Sequence, residues 1–368
     1  MNLLVLFNLA FLEKNILLFI VISVSISFIL SVLINSLLLK FSQNLGSRQI
    51  QKDIRWNATI KPSLGGISFF VIFLITFIIM SFINNILPVH YSNLKIIGIF
   101  VACTLAFLMG LADDAYNTKP LLKFTVQLTC GLILYFTDIK VQLFSNDMLN
   151  LLFTVIWTVG IMNSINMLDN MDAITTSVSI IILLFTITLS LSLNTMLYPL
   201  PILSLGMLGA LLGFLLFNWH PSKMFMGDTG SQFLGCFLAI IGIKFCWNAS
   251  HLTGNNWFMT NQNAIGIIAT LLVFIIPITD TSTVIINRLR KGKSPFIGGK
   301  DHTTHHLFFK GFTEPRIALI YIMLSIISIT LALQIIINYQ MLWFIISLIF
   351  IVIVFLALYI NTVLKSKK

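Results

Sequence analysis

Blocks of apolar residues, separated by short polar breaks, run along almost the whole 368-residue chain. The blocks are roughly twenty residues long, which is the length a helix needs to cross a hydrocarbon core at about 1.5 Å rise per residue. Reading between the breaks gives eleven candidate spans, at 16–39, 64–82, 94–112, 121–137, 148–166, 174–193, 199–217, 229–247, 263–287, 316–335 and 341–364. Stretches such as Leu64 to Phe82 are apolar on every side, whereas barrel strands alternate apolar and polar over about ten residues. The pattern therefore predicts an all-α polytopic membrane protein. No repeat, low-complexity linker or water-soluble segment divides it, so residues 1–368 read as a single transmembrane domain. Its longest polar stretch, Asn287 to Arg316, reads as a loop of about thirty residues. The start, MNLLVLFNLAFLEK, has neither a basic leader nor a small-residue cleavage site and is expected to stay attached.

Composition strengthens this picture. Hydrophobic residues make up 58% of the chain and charged ones 9%, far from the balance of a soluble domain. With the amino terminus outside and the carboxyl terminus cytoplasmic, eighteen of the 22 Lys and Arg fall on the inner side, as retention of basic loops requires. Topology thus accounts for the net charge of +10 without nucleic acid as a partner. Cys103, Cys130, Cys236 and Cys246 all fall in apolar blocks without metal-ligand spacing, and read as inert buried thiols.

The informative residues are the acids. Six of the twelve, Asp113, Asp114, Asp169, Asp172, Asp228 and Asp301, fall just beyond spans on the same predicted face. Carboxylates repel one another, and a divalent cation shared with phosphate ligands gives them a reason to gather. Asp113 and Asp114, in GLADDAYNTKP, close a span whose negative dipole end suits them poorly, with Lys119 nearby. In NSINMLDNMDAI, the residues Asn163, Asn166, Asp169 and Asp172 recur at threes and share one side of a helical segment. Structural Asn pairing between helices is the competing reading for Asn163 and Asn166. FNWHPSKMFMGDTGSQFLG joins Asn218, His220, Lys223 and Asp228 to a glycine-flanked turn. Thr229 and Ser231 there are candidate caps for a following helix whose free N–H groups suit a phosphate, and Asp228 suits Mg²⁺.

In RLRKGKSPFIGGKDHTTHHLFFKGF, Asp301, His302, His305 and His306 sit among basic residues. Three histidines invite zinc, but nothing else closes a ligand set, and attraction of a nucleotide diphosphate fits better. Lys61, in TIKPSLGGISFF, stands at a span entrance where a cation meets a lipid phosphate or simply marks the inner side. Asp280, behind Pro277, is an intramembrane carboxylate that must hydrogen-bond or ligate.

Taken in order, KPSLGG, GLADD, NSINMLDNMD, FNWHPSKMFMGDTGS and SPFIGGKDHTTHH resemble the polyprenyl-phosphate N-acetylhexosamine-1-phosphate transferases, whose family includes the phospho-N-acetylmuramoyl-pentapeptide transferases. The resemblance implies a cytoplasmic site that uses Mg²⁺, with Mn²⁺ as a substitute. There a sugar phosphate passes from a UDP-N-acetylhexosamine to polyprenyl phosphate and UMP leaves. It implies catalytic roles for Asp113, Asp114 and Asp228, with Asp228 on the metal. Asp169 and Asp172 resemble the family's polar stripe at the nucleotide site and His302, His305 and His306 its donor-contacting loop, and with Lys61, Asn163, Asn166, Asn218 and Asp301, read from their positions, they make the candidate substrate-binding set. The form of the histidine motif favours UDP-N-acetylglucosamine and a cell-envelope polysaccharide over the pentapeptide branch, and Ala173 stands where the family often has glycine. A bacterial inner membrane is the implied location, and a homodimer is one option for assembly. The rival class is a secondary transporter, which places its site near the midplane rather than at span ends.

Overall fold

A computed structural model describes residues 9–42, 61–85, 92–253, 262–294, 299–338 and 340–363. Arg48, Lys52, Arg55, Lys365, Lys367 and Lys368, which contribute to the expected charge bias, lie outside the described residues, as do Pro295 to Gly298 of the histidine motif. Among the described residues there is no named strand, only one isolated bridge, and helices occupy every predicted span.

A short α1, Leu9–Lys14, leads into α2, Ile16–Phe41. Then follow α3, Gly65–Asn84, α4, Asn93–Tyr116, α5, Pro120–Phe136, and α6, Asp147–Leu168. The centre of the chain forms α7, Ile174–Ser192, α8, Pro199–Asn218, and α9, Gly227–Ile241, which continues as a π-helical turn over Gly242–Trp247. Nine helices, counting α9 with its π turn as one, are long and apolar enough to cross a membrane among the described residues. At 17 residues α5 is shorter.

The span expected at 263–287 is not straight. After α10, Ala249–Thr253, it divides into α11, Gln262–Val273, and α12, Ile275–Arg290, which meet at 79°. Pro277 lies just past the break and lacks an N–H, and its ring clashes with the carbonyl four residues earlier, so a helix cannot run through unbent. The expected thirty-residue loop is also shorter. Its first residues belong to α12, and α13, Thr303–Phe309, carries two of its histidines, before α14, Glu314–Ile337, and α15, Met341–Val363.

Helix α9 is the hub, packing on α3, α4 and α6 while α8 holds α2, α3 and α7. Every residue of α9 except Asp228 is buried. Phenylalanines of α3 tie the neighbouring helices together: Phe73 meets Phe233 of α9 edge to face at 5.3 Å, Phe69 meets Phe214 of α8 at 5.1 Å, and Phe70 stacks on Phe107 of α4 at 3.9 Å. At the periphery α2 and α15 leave Leu17, Val21, Leu342 and Ile353 exposed, the apolar coat of helices that face lipid. All four cysteines are buried and free.

Because successive helices run up and down, alternate connections lie at the same end. Those following α4, α6, α8 and α12, together with the entrance of α3, carry all five sequence motifs.

Candidate active site

The acidic pair closes α4 just before Asn117, whose left-handed φ of 50° ends the helix, and Pro120 starts α5 three residues later. This tight reversal brings Lys123 back over the pair. Its ammonium lies 2.7 Å from Asp113 Oδ2 and 2.9 Å from Asp228 Oδ2. The expected compensating charge is therefore Lys123 rather than Lys119. Thr118 donates its backbone N–H to the other Asp113 oxygen at 3.0 Å, and its hydroxyl also donates there.

Asp114 turns the opposite way. Its carboxylate accepts the backbone N–H of Asp228 at 3.0 Å, the N–H of Thr229 at 2.8 Å and the Thr229 hydroxyl at 2.6 Å. It caps α9 from a distant helix, supplying the anion that a helix N-terminus favours. The expectation that these N–H groups receive a phosphate is corrected: Asp114 already occupies them. Ser231 is not a cap either, because its hydroxyl accepts from Asn166 at 2.8 Å. Gly227 makes the approach possible. At φ 75° it adopts the left-handed region, and a Cβ there would fall 2.7 Å from Asp114 Oδ2 and 2.9 Å from the Ser63 carbonyl.

The polar stripe of the second motif is corrected as well. Helix α6 ends at Leu168, so Asp169 is its C-cap and Asp172 lies in the turn beyond. Asn166 donates to Asp228 Oδ1 at 2.6 Å. Asn163 instead pairs with Gln127 at 2.9 Å, and Gln127 in turn donates to Gln232 at 3.0 Å, forming an interhelical strut. Asp169 is half-buried at the mouth of the same turn.

Asp172 is 6% exposed and accepts the Ser222 N–H at 2.9 Å and the Ser222 hydroxyl at 2.7 Å. Lys61 donates to Ser222 Oγ at 3.0 Å, lies 3.9 Å from Asp172 and sits over the Phe225 ring. It is thus drawn inward by the protein rather than held out at the headgroups. A parallel bridge between Ser63 and Phe225, with Gly65 and Gly66 donating to the carbonyls of Phe225 and Met226, stitches the first motif to the third. Asn218, 3% exposed, spends its amide on Ala173 N–H at 3.2 Å, the Thr176 hydroxyl at 2.7 Å and the Met224 carbonyl at 3.2 Å. Its contribution is to hold both turns.

In the histidine segment, Arg288 grips Asp301 through two hydrogen bonds of 2.8 and 2.7 Å. Burial pushes the Asp301 carboxyl up, but this guanidinium outweighs it and holds the group below the usual range. Asp280 is 1% exposed and faces His302 Nδ1 at 2.8 Å and the Thr303 N–H at 2.9 Å, with Tyr321 joined through the Thr303 hydroxyl at 2.7 Å. This intramembrane acid hydrogen-bonds. The T-shaped contact of His305 on His302, at 5.3 Å between ring centres, fills the space behind it. Burial pushes His305 down to about 3, with His302 adding to the effect, so its ring is neutral at pH 7 and offers no charge to an anion. His306 is lowered by burial in the same direction. The segment docks through Thr304, which donates to Asn170 at 2.7 Å.

All five motifs are thus joined by direct contacts at one end of the bundle. Lys123 and Ser222 are site residues that sequence reasoning missed, and Gln127 and Gln232 are the missed partners that brace Asn163. A lysine at a span entrance reads as a topology marker, and polar residues inside apolar blocks carry no spacing signal. Asp113 and Asp228 fit a divalent cation, because they converge on one position that a positive charge, the Lys123 ammonium, already holds.

The glycosyl transferase family 4 model matches residues 96–246. A probable undecaprenyl-phosphate N-acetylglucosaminyl 1-phosphate transferase of Bacillus subtilis is 27% identical, covering 92% of this chain and 90% of that protein. A decaprenyl-phosphate N-acetylglucosaminephosphotransferase of Mycolicibacterium smegmatis is 25% identical over 76% of this chain and 72% of that protein. A phospho-N-acetylmuramoyl-pentapeptide-transferase of Streptococcus agalactiae is 30% identical, covering 59% of this chain and 70% of that protein. The resemblance read from the motifs and these similarities agree: the chain belongs to glycosyl transferase family 4.

Proposed function

We propose that this protein transfers N-acetylglucosamine 1-phosphate from its UDP derivative to a polyprenyl phosphate such as undecaprenyl phosphate, releasing UMP and starting a cell-envelope polysaccharide. The observation that carries this reading is the pairing of Asp113 with Asp228 around one cation position, where Lys123 lies 2.7 and 2.9 Å from them. In this reading all eleven helical segments span the bilayer, the amino terminus lies outside, and the site opens to the cytoplasm of a bacterial inner membrane.

Mg²⁺, or Mn²⁺ in its place, bound by Asp228 and Asp113 would neutralise charge on the donor diphosphate. Asn166 fixes the Asp228 carboxylate through its 2.6 Å hydrogen bond, and Asp114 fixes the backbone that carries it. Lys123 adds positive charge where the attacking and leaving phosphates must meet, and positioning supplies most of the remainder. Asp113 is the acid placed to take a proton from a monoanionic acceptor. That need is slight, because a phosphate's second pKa is about 6. Lys61, Asp169 and Asp172 line the donor end, with Asp301, His302, His305 and His306 held beside them by Asp280 and Arg288.

Purified protein given undecaprenyl phosphate, UDP-N-acetylglucosamine and Mg²⁺ should yield UMP and a lipid-linked sugar. Absence of product with every UDP-N-acetylhexosamine would refute the assignment. Relatives carry both donor names, so competition between UDP-N-acetylglucosamine and the UDP-muramoyl pentapeptide separates the branches.

A further inference from the structure

Asp172, His220 and Glu314 come from three separate places: the turn after α6, the connection between α8 and α9, and the first residue of α14. Their ligand atoms lie within 4.8 Å of one another. His220 Nδ1 is 3.3 Å from Asp172 Oδ2 and 3.2 Å from Glu314 Oε2. Ligands bound at about 2.0–2.1 Å in a tetrahedron stand about 3.3–3.4 Å apart, so the imidazole already has the edges of a coordination sphere. The two carboxylates are 6% and 7% exposed, whereas His220 is 31% exposed and leaves an entrance for an ion.

Lys61 lies 3.9 Å from Asp172 at the edge of the cluster. We propose that Asp172, His220 and Glu314 form a second cation site, distinct from Asp113 and Asp228, which takes a divalent transition metal of the zinc class. The imidazole nitrogen sets that choice, since Mg²⁺ favours oxygen ligands. The histidine motif itself is a poorer zinc site: His302 faces Asp280 at 2.8 Å and His305 is 1% exposed. A metal at His220 would tie the first turn of α14 to the turn carrying Asp172. Proton and metal compete for the same nitrogen, so retention should weaken as pH falls.

Asp172 also lines the donor end in the transferase reading, so this assignment is tested by metal content, without an activity assay. Full-length protein in detergent is stripped with chelator, loaded with Zn²⁺ in excess Mg²⁺, desalted and analysed for metal. Wild type should retain one zinc, and His220→Gln and Glu314→Gln should each bind it at least about tenfold more weakly, the loss that even an outer-shell change brings. Combined replacement of His302, His305 and His306 by Gln should leave zinc retention unchanged. As a check needing no variant, Co²⁺ in the wild type should give visible d–d bands without a thiolate charge-transfer band. No retained zinc, equal zinc in His220→Gln, zinc lost with the loop histidines, or no cobalt bands would each overturn the proposal.

Discussion

Asp114 and Asp228 are both half-buried aspartates beside the same helix start, yet their hydrogen bonds give them opposite duties. Asp114 spends both oxygens on the N-terminus of α9, so Asp114→Asn should cost about 1–2 kcal/mol of stability through the weakened cap. Asp228→Asn should keep the thermal midpoint while turnover falls by about a hundredfold or more, as loss of a preorganised charge does. Melting curves and UMP release on the same preparations check both, and an active, fully stable Asp228→Asn protein would remove the metal assignment. Ala173 sits at φ 65°, a conformation that costs a residue with a Cβ about 1–2 kcal/mol. Ala173→Gly should therefore raise stability by about 0.5–1 kcal/mol, and a lowered midpoint would show that the strain is relieved elsewhere. The acids were readable from the sequence because unpaired charge is costly in an apolar chain. Their partners were not. Asn163 and Asn166 share a spacing and a residue type, but one meets Gln127 and the other Asp228, a difference set only by which helix stands opposite.

Among the elements, the crossing of α4 with α9 decides whether the site exists. A Cβ on Gly110 would fall 2.2 Å from the Asp228 carbonyl, so Gly110→Val should drive the helices apart. Stability and turnover should drop together in that variant, and full activity would mean the crossing does not set the geometry. The helices themselves followed from block length and hydropathy, which backbone hydrogen bonding in lipid makes nearly decisive. What escaped was local. The 79° bend needed Pro277 to be read as a break, and α13 is too short and polar for periodicity to announce it.

At the scale of the molecule, up-and-down connectivity gathers motifs more than a hundred residues apart at one end of the bundle, as the Asp228–Lys123 contact at 2.9 Å shows. That end was foreseeable from the placement of acids and basic loops, whereas the sharing of Lys123 between two carboxylates required the packed structure. The account's central claim is that these segments form one donor pocket on the cytoplasmic face. In a background whose native cysteines are replaced, single cysteines at Asn117, Asn170, Lys223 and Lys310 can be tested with a membrane-impermeant thiol reagent on vesicles of known orientation. The account predicts labelling of all four from the cytoplasmic side only, slowed at Asn117 and Asn170 by UDP-N-acetylglucosamine with Mg²⁺. Labelling of these positions from opposite faces would contradict it.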